Sequence, residues 1–88
     1  MNYIKEGNNI FLKDNDKVVA SISFEEINDD TYNINHTFVD ESLRGKGIAS
    51  ILVEKAVEEI KSRNKKVVAS CSYAKKWLEK RSDYKWEY

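Results

Sequence analysis

The stretch Val39-Asp40-Glu41-Ser42-Leu43-Arg44-Gly45-Lys46-Gly47-Ile48-Ala49 decides the fold, because the period of the apolar residues changes across it. Before it, Tyr32-Asn33-Ile34-Asn35-His36-Thr37-Phe38-Val39 alternates, which predicts a strand with Tyr32, Ile34, His36 and Phe38 on one face. After it, Ile48, Ile51, Leu52, Ala56 and Ile60 recur at helical spacing, with Ala49, Val53 and Val57 beside them. Glu54, Lys55, Glu58, Glu59 and Lys61 form the wet side of that helix. Arg63-Asn64-Lys65 ends it with cations and an Asn, as the negative end of a helix prefers.

Upstream, turn signals at Glu6-Gly7-Asn8-Asn9, Lys13-Asp14-Asn15-Asp16 and Asn28-Asp29-Asp30 bound two more strand-like runs. One is short, Ile10 to Leu12. The other, Val18 to Phe24, puts Val18, Ala20, Ile22 and Phe24 on one face and Val19, Ser21 and Ser23 on the other. Short polar turns between strands argue for an antiparallel meander. Downstream, Val67-Val68-Ala69-Ser70 reads as a fourth strand, which the preceding helix sets parallel to Tyr32–Val39. Ser72 is placed to cap a last helix to about Lys80, with Tyr73, Trp77 and Leu78 facing inward. The aromatic tail, Asp83-Tyr84-Lys85-Trp86-Glu87-Tyr88, is expected to pack back on the sheet. The expected fold class is α/β (α+β): a three-stranded antiparallel meander, a helix, a parallel fourth strand and a C-terminal helix, forming a single domain over residues 1–88.

Composition narrows the function. Fifteen basic and fifteen acidic residues cancel, so no global field draws the chain to nucleic acid or an acidic membrane, and any anion site must be local. No run approaches the roughly 20 apolar residues that span a bilayer, and the N-terminus lacks the apolar centre of a signal peptide. Cys71 is the single cysteine, and no Cys/His cluster suggests a metal. A reduced, cytoplasmic setting is expected.

The loop supplies that local site. A helix N-terminus leaves backbone N–H groups unpaired and carries partial positive charge. Gly45 and Gly47 remove side chains there, so a diphosphate can approach the backbone, while Arg44 and Lys46 add cationic donors. A bare tight turn is the competing reading. A dinucleotide fingerprint fits poorly, since a meander precedes the loop and no acidic ribose ligand follows. A nucleotide-binding P-loop is excluded, because no Gly-Lys-Ser/Thr follows at its spacing.

Arg44-x-x-Gly47-x-Ala49 matches the Gln/Arg-x-x-Gly-x-Gly/Ala signature of GNAT acetyltransferases, and Val39 to Leu52 looks like their central strand–loop–helix motif. More narrowly, the chain resembles a family of very short GNAT-like proteins. That family joins a His-Thr pair, Arg-Gly-x-Gly-Ile-Ala, and a Cys after the next strand, followed by a helix ending in a Tyr. Here these are His36-Thr37, Arg44 to Ala49, Cys71 and Tyr84, so the resemblance covers about residues 17 to 84. It implies acetyl-CoA as cosubstrate, with the amides around Lys46 to Ala49 on the diphosphate. The pantetheine arm would lie between the two parallel strands, pairing with the backbone of Phe38 and Val39. The N-terminal helices and C-terminal strands that wall the acceptor site of full-size members have no counterpart in this stretch, which leaves the acceptor unidentified.

Two residues are candidates for the chemistry. With the parallel strands splaying, His36 and Cys71 are expected to face one cleft. Cys71 would take the acetyl group as a thioester, with His36 lowering its proton affinity, or His36 would deprotonate an acceptor amine directly. Plain readings stand beside these: Cys71 as a small buried hydrophobe, and His36 as a core histidine satisfied by its neighbours. Glu25 and Glu26 are weaker candidates for the base. Tyr84 is a candidate proton donor to the departing thiolate. The two function classes are an enzyme that acetylates an amine or similar nucleophile, and a non-catalytic acyl-CoA-binding module or sensor. Either would act as a monomer or weak dimer, with no nucleic acid or membrane partner.

Overall fold

The computed structural model describes residues 1–80. Five strands form one sheet in sequence order: β1 (Asn2–Glu6), β2 (Asn9–Asp14), β3 (Lys17–Asn28), β4 (Thr31–Val39) and β5 (Lys66–Ala69). The first four run antiparallel and β5 lies parallel to β4, joined to it by helix α1 (Ile48–Ser62). Helix α2 (Ser72–Glu79) follows β5. The α/β class, the meander, the long helix and the parallel strand all agree with the sequence reading. The tail at 83–88, with Tyr84, lies outside the described residues.

The sheet has one strand more than the sequence announces. Asn2–Glu6 carries a single aliphatic residue, Ile4, and is a strand because it pairs with Asn9–Lys13 through a left-handed Gly7 turn. An edge strand of this kind is specified by its partner, not by its own pattern.

Both helices cover the same face of the sheet. Ile48, Leu52, Val53, Ala56, Val57 and Ile60 of α1, with Ala74, Trp77 and Leu78 of α2, join Ile10, Leu12, Ala20, Ile22 and Ile34 in one core. Helix α1 follows the predicted stripe except at Ile51, which is exposed. Helix α2 buries Ala74, Trp77 and Leu78 at the helical spacing, so Tyr73 turns outward instead of inward. Its cap position is Cys71, one residue before the expected Ser72.

Two β-bulges decide which side chains reach the core. At the start of β3, Leu12 pairs with Ala20 and Lys13 with Val18, so Val19 is the extra residue. Val19 is therefore buried and Val18 exposed, the reverse of simple alternation. In β4, Ser23 pairs with His36 and Phe24 with Ile34, leaving Asn35 extra. Residues directly opposite share a face. Thr37, opposite the buried Ile22, and Val39, opposite Ala20, thus join the helix-covered side. His36 and Phe38, opposite Ser23 and Ser21, join the bare side. The expected set Tyr32, Ile34, His36 and Phe38 is broken in the middle.

Candidate functional site

Beyond Val39 the chain makes a short 3-10 turn over Glu41–Leu43. Asp40 starts it: its Oδ1 accepts from the Ser42 amide at 3.0 Å and from the Ser42 hydroxyl at 2.8 Å. These bonds from Ser42 hold the Asp40 carboxyl below the usual carboxylate range. Leu43 is buried and pins the loop to the core. Gly45 and Gly47 then adopt left-handed backbone, with φ of 83° and 75°, a conformation open to glycine at little cost. A Cβ at either position would meet no atom within 4 Å. The glycines are thus required by backbone conformation in the protein itself, and the space in front of them stays open.

Gly47 is the residue before α1, and it offers no side-chain cap. The first turn carries no acidic residue. The helix begins its own bonding with the Ile51 amide donating to the Gly47 carbonyl at 3.2 Å. The amides before Ile51 therefore have no intrahelical acceptor, and the positive end of the helix dipole is uncompensated by the helix. Gly45, Gly47, Ile48 and Ala49 line a cleft of about 490 Å³, with Arg44 beside them. Thr37, Val39 and Tyr73 form its other walls. The six predicted loop residues, Arg44 to Ala49, lie at the start of α1, and all of them but Lys46 line the cleft.

The cleft runs toward the point where the two parallel strands part. Register between β4 and β5 ends at Ile34 and Ala69. The amides of Ser70 and Cys71 both donate to the Ile34 carbonyl, at 3.1 and 3.2 Å, and the chain then turns into α2. From Asn35 to Val39, β4 keeps β3 on one edge and has no strand on the other among the described residues. Phe38 and Val39 lie on this splayed segment, which leaves the outer edge of their backbone open.

Cys71 is a free, half-buried thiol at the N-cap of α2. Its Sγ lies 3.5 Å from the Thr37 hydroxyl oxygen. Burial pushes the thiol up, but hydrogen bonds from the Thr37 hydroxyl and the backbone amides of Ala74 and Tyr73 outweigh it and leave the thiol below its ordinary value. The expected pairing of Cys71 with His36 is not found. The extra residue at Asn35 sends His36 to the opposite face of the sheet, exposed, and brings Thr37 to the thiol instead. The weaker candidates Glu25 and Glu26 are exposed, and Glu25 accepts from Asn35 Nδ2 at 2.9 Å.

The sequence reading gives three residues in or beside this site no role in it. Thr37 was hidden by the bulge. Tyr73 was placed inward because its ring outweighs the small Ala74 that holds the buried position. Ser50 has no sequence mark, yet it accepts a hydrogen bond from the buried indole N–H of Trp77 at 2.8 Å. Among the described residues no three His, Cys, Asp or Glu gather to hold a metal ion, and no helix is long and apolar enough to cross a membrane.

A second groove, about 310 Å³, lies beside the other half of α1, between β1 and the helix. Both of its cations are engaged: Lys5 pairs with Glu59 at 2.9 Å, and Lys55 stands 4.8 Å from the Tyr3 ring centre. It offers no comparable set of unpaired donors.

Comparison with known proteins agrees with the geometry. Residues 9–86 match the family model described as GCN5-related N-acetyl-transferase. The NMR structure of a GCN5-like protein from Staphylococcus aureus is 32% identical with a TM-score of 0.73, over 90% of this chain and 78% of that one. An IAA acetyltransferase from Bacillus cereus is 25% identical with a TM-score of 0.67, over 82% of this chain and 51% of that one. A Mycobacterium tuberculosis protein crystallised with CoA shares the fold at 20% identity and a TM-score of 0.63, over 70% of this chain and 40% of that one. The chain thus spans about half or less of the length of the last two. No protein of curated function matches the sequence. With its strand–loop–helix site and this match over most of its length, the chain belongs to the GCN5-related N-acetyltransferase family.

Proposed function

We propose that the protein binds acetyl-CoA in the cleft at the start of α1 and transfers its acetyl group to an amine or similar nucleophile. The observation that carries the reading is the uncapped, acid-free N-terminus of α1, reached through two left-handed glycines. A diphosphate would satisfy those amides, with Arg44 and Lys46 as exposed cations beside it. The pantetheine arm would pair with the open edge of β4 at Phe38 and Val39. Its thioester would then arrive between Thr37 and the N-cap of α2.

In that position Cys71 is the nucleophile the geometry favours. Its thiolate would attack the acetyl carbonyl, forming a Cys71 thioester and releasing CoA as its thiolate; an acceptor amine would then take the acetyl group and return the Cys71 sulfur. His36, on the far face, serves no step in this cleft. A second reading, acyl-CoA binding without transfer, is favoured by His36 lying exposed on the opposite face of the sheet, where the expected base does not reach Cys71.

One titration separates these. Acetyl-CoA is added while backbone amide resonances and intact mass are followed. Shifts concentrated at residues 45–49 are expected, with a hydroxylamine-labile acetyl adduct that disappears in Cys71→Ser. Shifts without an adduct support the binding module. Unmoved resonances at 45–49 at millimolar acetyl-CoA would discard the site altogether.

A further inference from the structure

The two halves of the site ride on different helices. The anion-facing amides belong to the first turn of α1, and Cys71 caps α2. The first turn of α1 is held weakly by its own residues, since Gly47 provides no side-chain cap and its neighbours Gly45 and Lys46 are exposed. Ser50, in that turn, is no strong helix former.

A polar bond ties this turn down. Trp77, 7% exposed, sits between the fully buried Ala74 and Leu78 on the inner face of α2 and aims its indole N–H at Ser50 Oγ, 2.8 Å away. An indole has a donor and no acceptor, so the bond has one direction: Trp77 gives and Ser50 receives. The rigid ring, wedged in the core, makes this a fixed strut and not a flexible tether. Losing either end leaves a buried polar atom or slackens the turn.

Building on the reading of this loop as the CoA site, we propose that Trp77 is a positioning residue: its bond to Ser50 clamps the first turn of α1 against α2 and holds the cleft-facing amides in register with Cys71.

The test begins without ligand. Hydrogen exchange of the Ile51 and Leu52 amides is measured in wild type, Trp77→Phe, Ser50→Ala, the double variant and Ser50→Thr. About fivefold faster exchange is expected in each hydroxyl- or indole-deleting single variant, the scale of one neutral hydrogen bond. The double variant should be no faster than the worse single, as for two ends of one bond. Ser50→Thr, which keeps the hydroxyl, should restore the wild-type rate. CoA affinity should fall in the same pattern, and the Trp77 indole N–H resonance should shift when CoA is added. Unchanged exchange in Ser50→Ala and Trp77→Phe, or losses that simply add, would overturn the clamp. Accelerated exchange in a protein whose wild type shows no CoA affinity would sink the loop reading and, with it, the functional role of the clamp, while leaving the bond itself established.

Discussion

The two ends of α1 are built to opposite specifications. Its C-terminus is closed by the chain's own groups. Asn64 takes a left-handed φ of 61°, the Asn64 amide donates to the Lys61 carbonyl, and the Lys65 amide reaches back to Ile60. This closes the last carbonyls in the pattern of a Schellman cap. Arg63 then donates to Glu59 Oε2 at 2.8 Å, Asn8 Oδ1 at 2.7 Å and the Gly7 carbonyl at 3.0 Å. Its guanidinium also stands 5.5 Å from the Phe24 ring centre and 5.4 Å from that of Tyr32. At the N-terminus the same helix has a glycine for a cap and no carboxylate nearby in its first turn. One end is closed by the fold's own groups; the other leaves its first amides without a cap beside the cleft.

Breaking the open end should have the larger effect. Gly47→Val forces a β-branched residue into left-handed backbone, costing about 1–2 kcal/mol of stability. Its side chain also enters the space in front of the amides. CoA affinity should drop roughly 100-fold, the equivalent of one or two charge-assisted hydrogen bonds, measured by calorimetry. Arg63→Ala should do the reverse: about 1–3 kcal/mol less stability in urea unfolding, with CoA affinity unchanged. A variant that moved both quantities together would mean the helix ends are not independent.

The smallest effect concerns acid. Hydrogen bonds from Lys5 and Arg63 hold the Glu59 carboxyl below the ordinary glutamate value. A carboxylate with a lowered pKa in the folded state binds its proton more readily when unfolded, so it contributes stability above its unfolded pKa. That contribution should fade as pH falls from about 4.3 through the lower folded value. Glu59→Gln should flatten this part of the stability curve, and an unaltered acid limb would remove Glu59 from the account.

The contrast between the ends was half visible in the sequence. Helical periodicity from Ile48 to Ile60, two glycines ahead of it and Asn64 behind it follow local rules that need no partner strand. Arg63 was read as a cation suited to a helix end, but its grip on Gly7 and Asn8 depends on β1, which has too little pattern of its own to be seen. The side that carries Cys71 was harder still. Alternation fixes a face only while pairing stays regular, and the register between β3 and β4 is set by two strands together. Nothing in Asn35 announces that it is the unpaired residue. The Ala74–Trp77–Leu78 stripe is present in the spacing, but an alanine signals burial weakly beside a tyrosine.

That single unpaired residue acts as a shim in the strand. Because Ile34 and His36 already pair with the adjacent residues Phe24 and Ser23, deleting Asn35 would make them neighbours and leave every later side chain on its present face. Thr37 would still meet the Cys71 sulfur, and the imidazole would still face away. What serves the thiol is therefore set by how β3 grips His36–Val39, and only a one-residue slip that draws Asn35 into the ladder opposite Ser23 would exchange the hydroxyl for the imidazole.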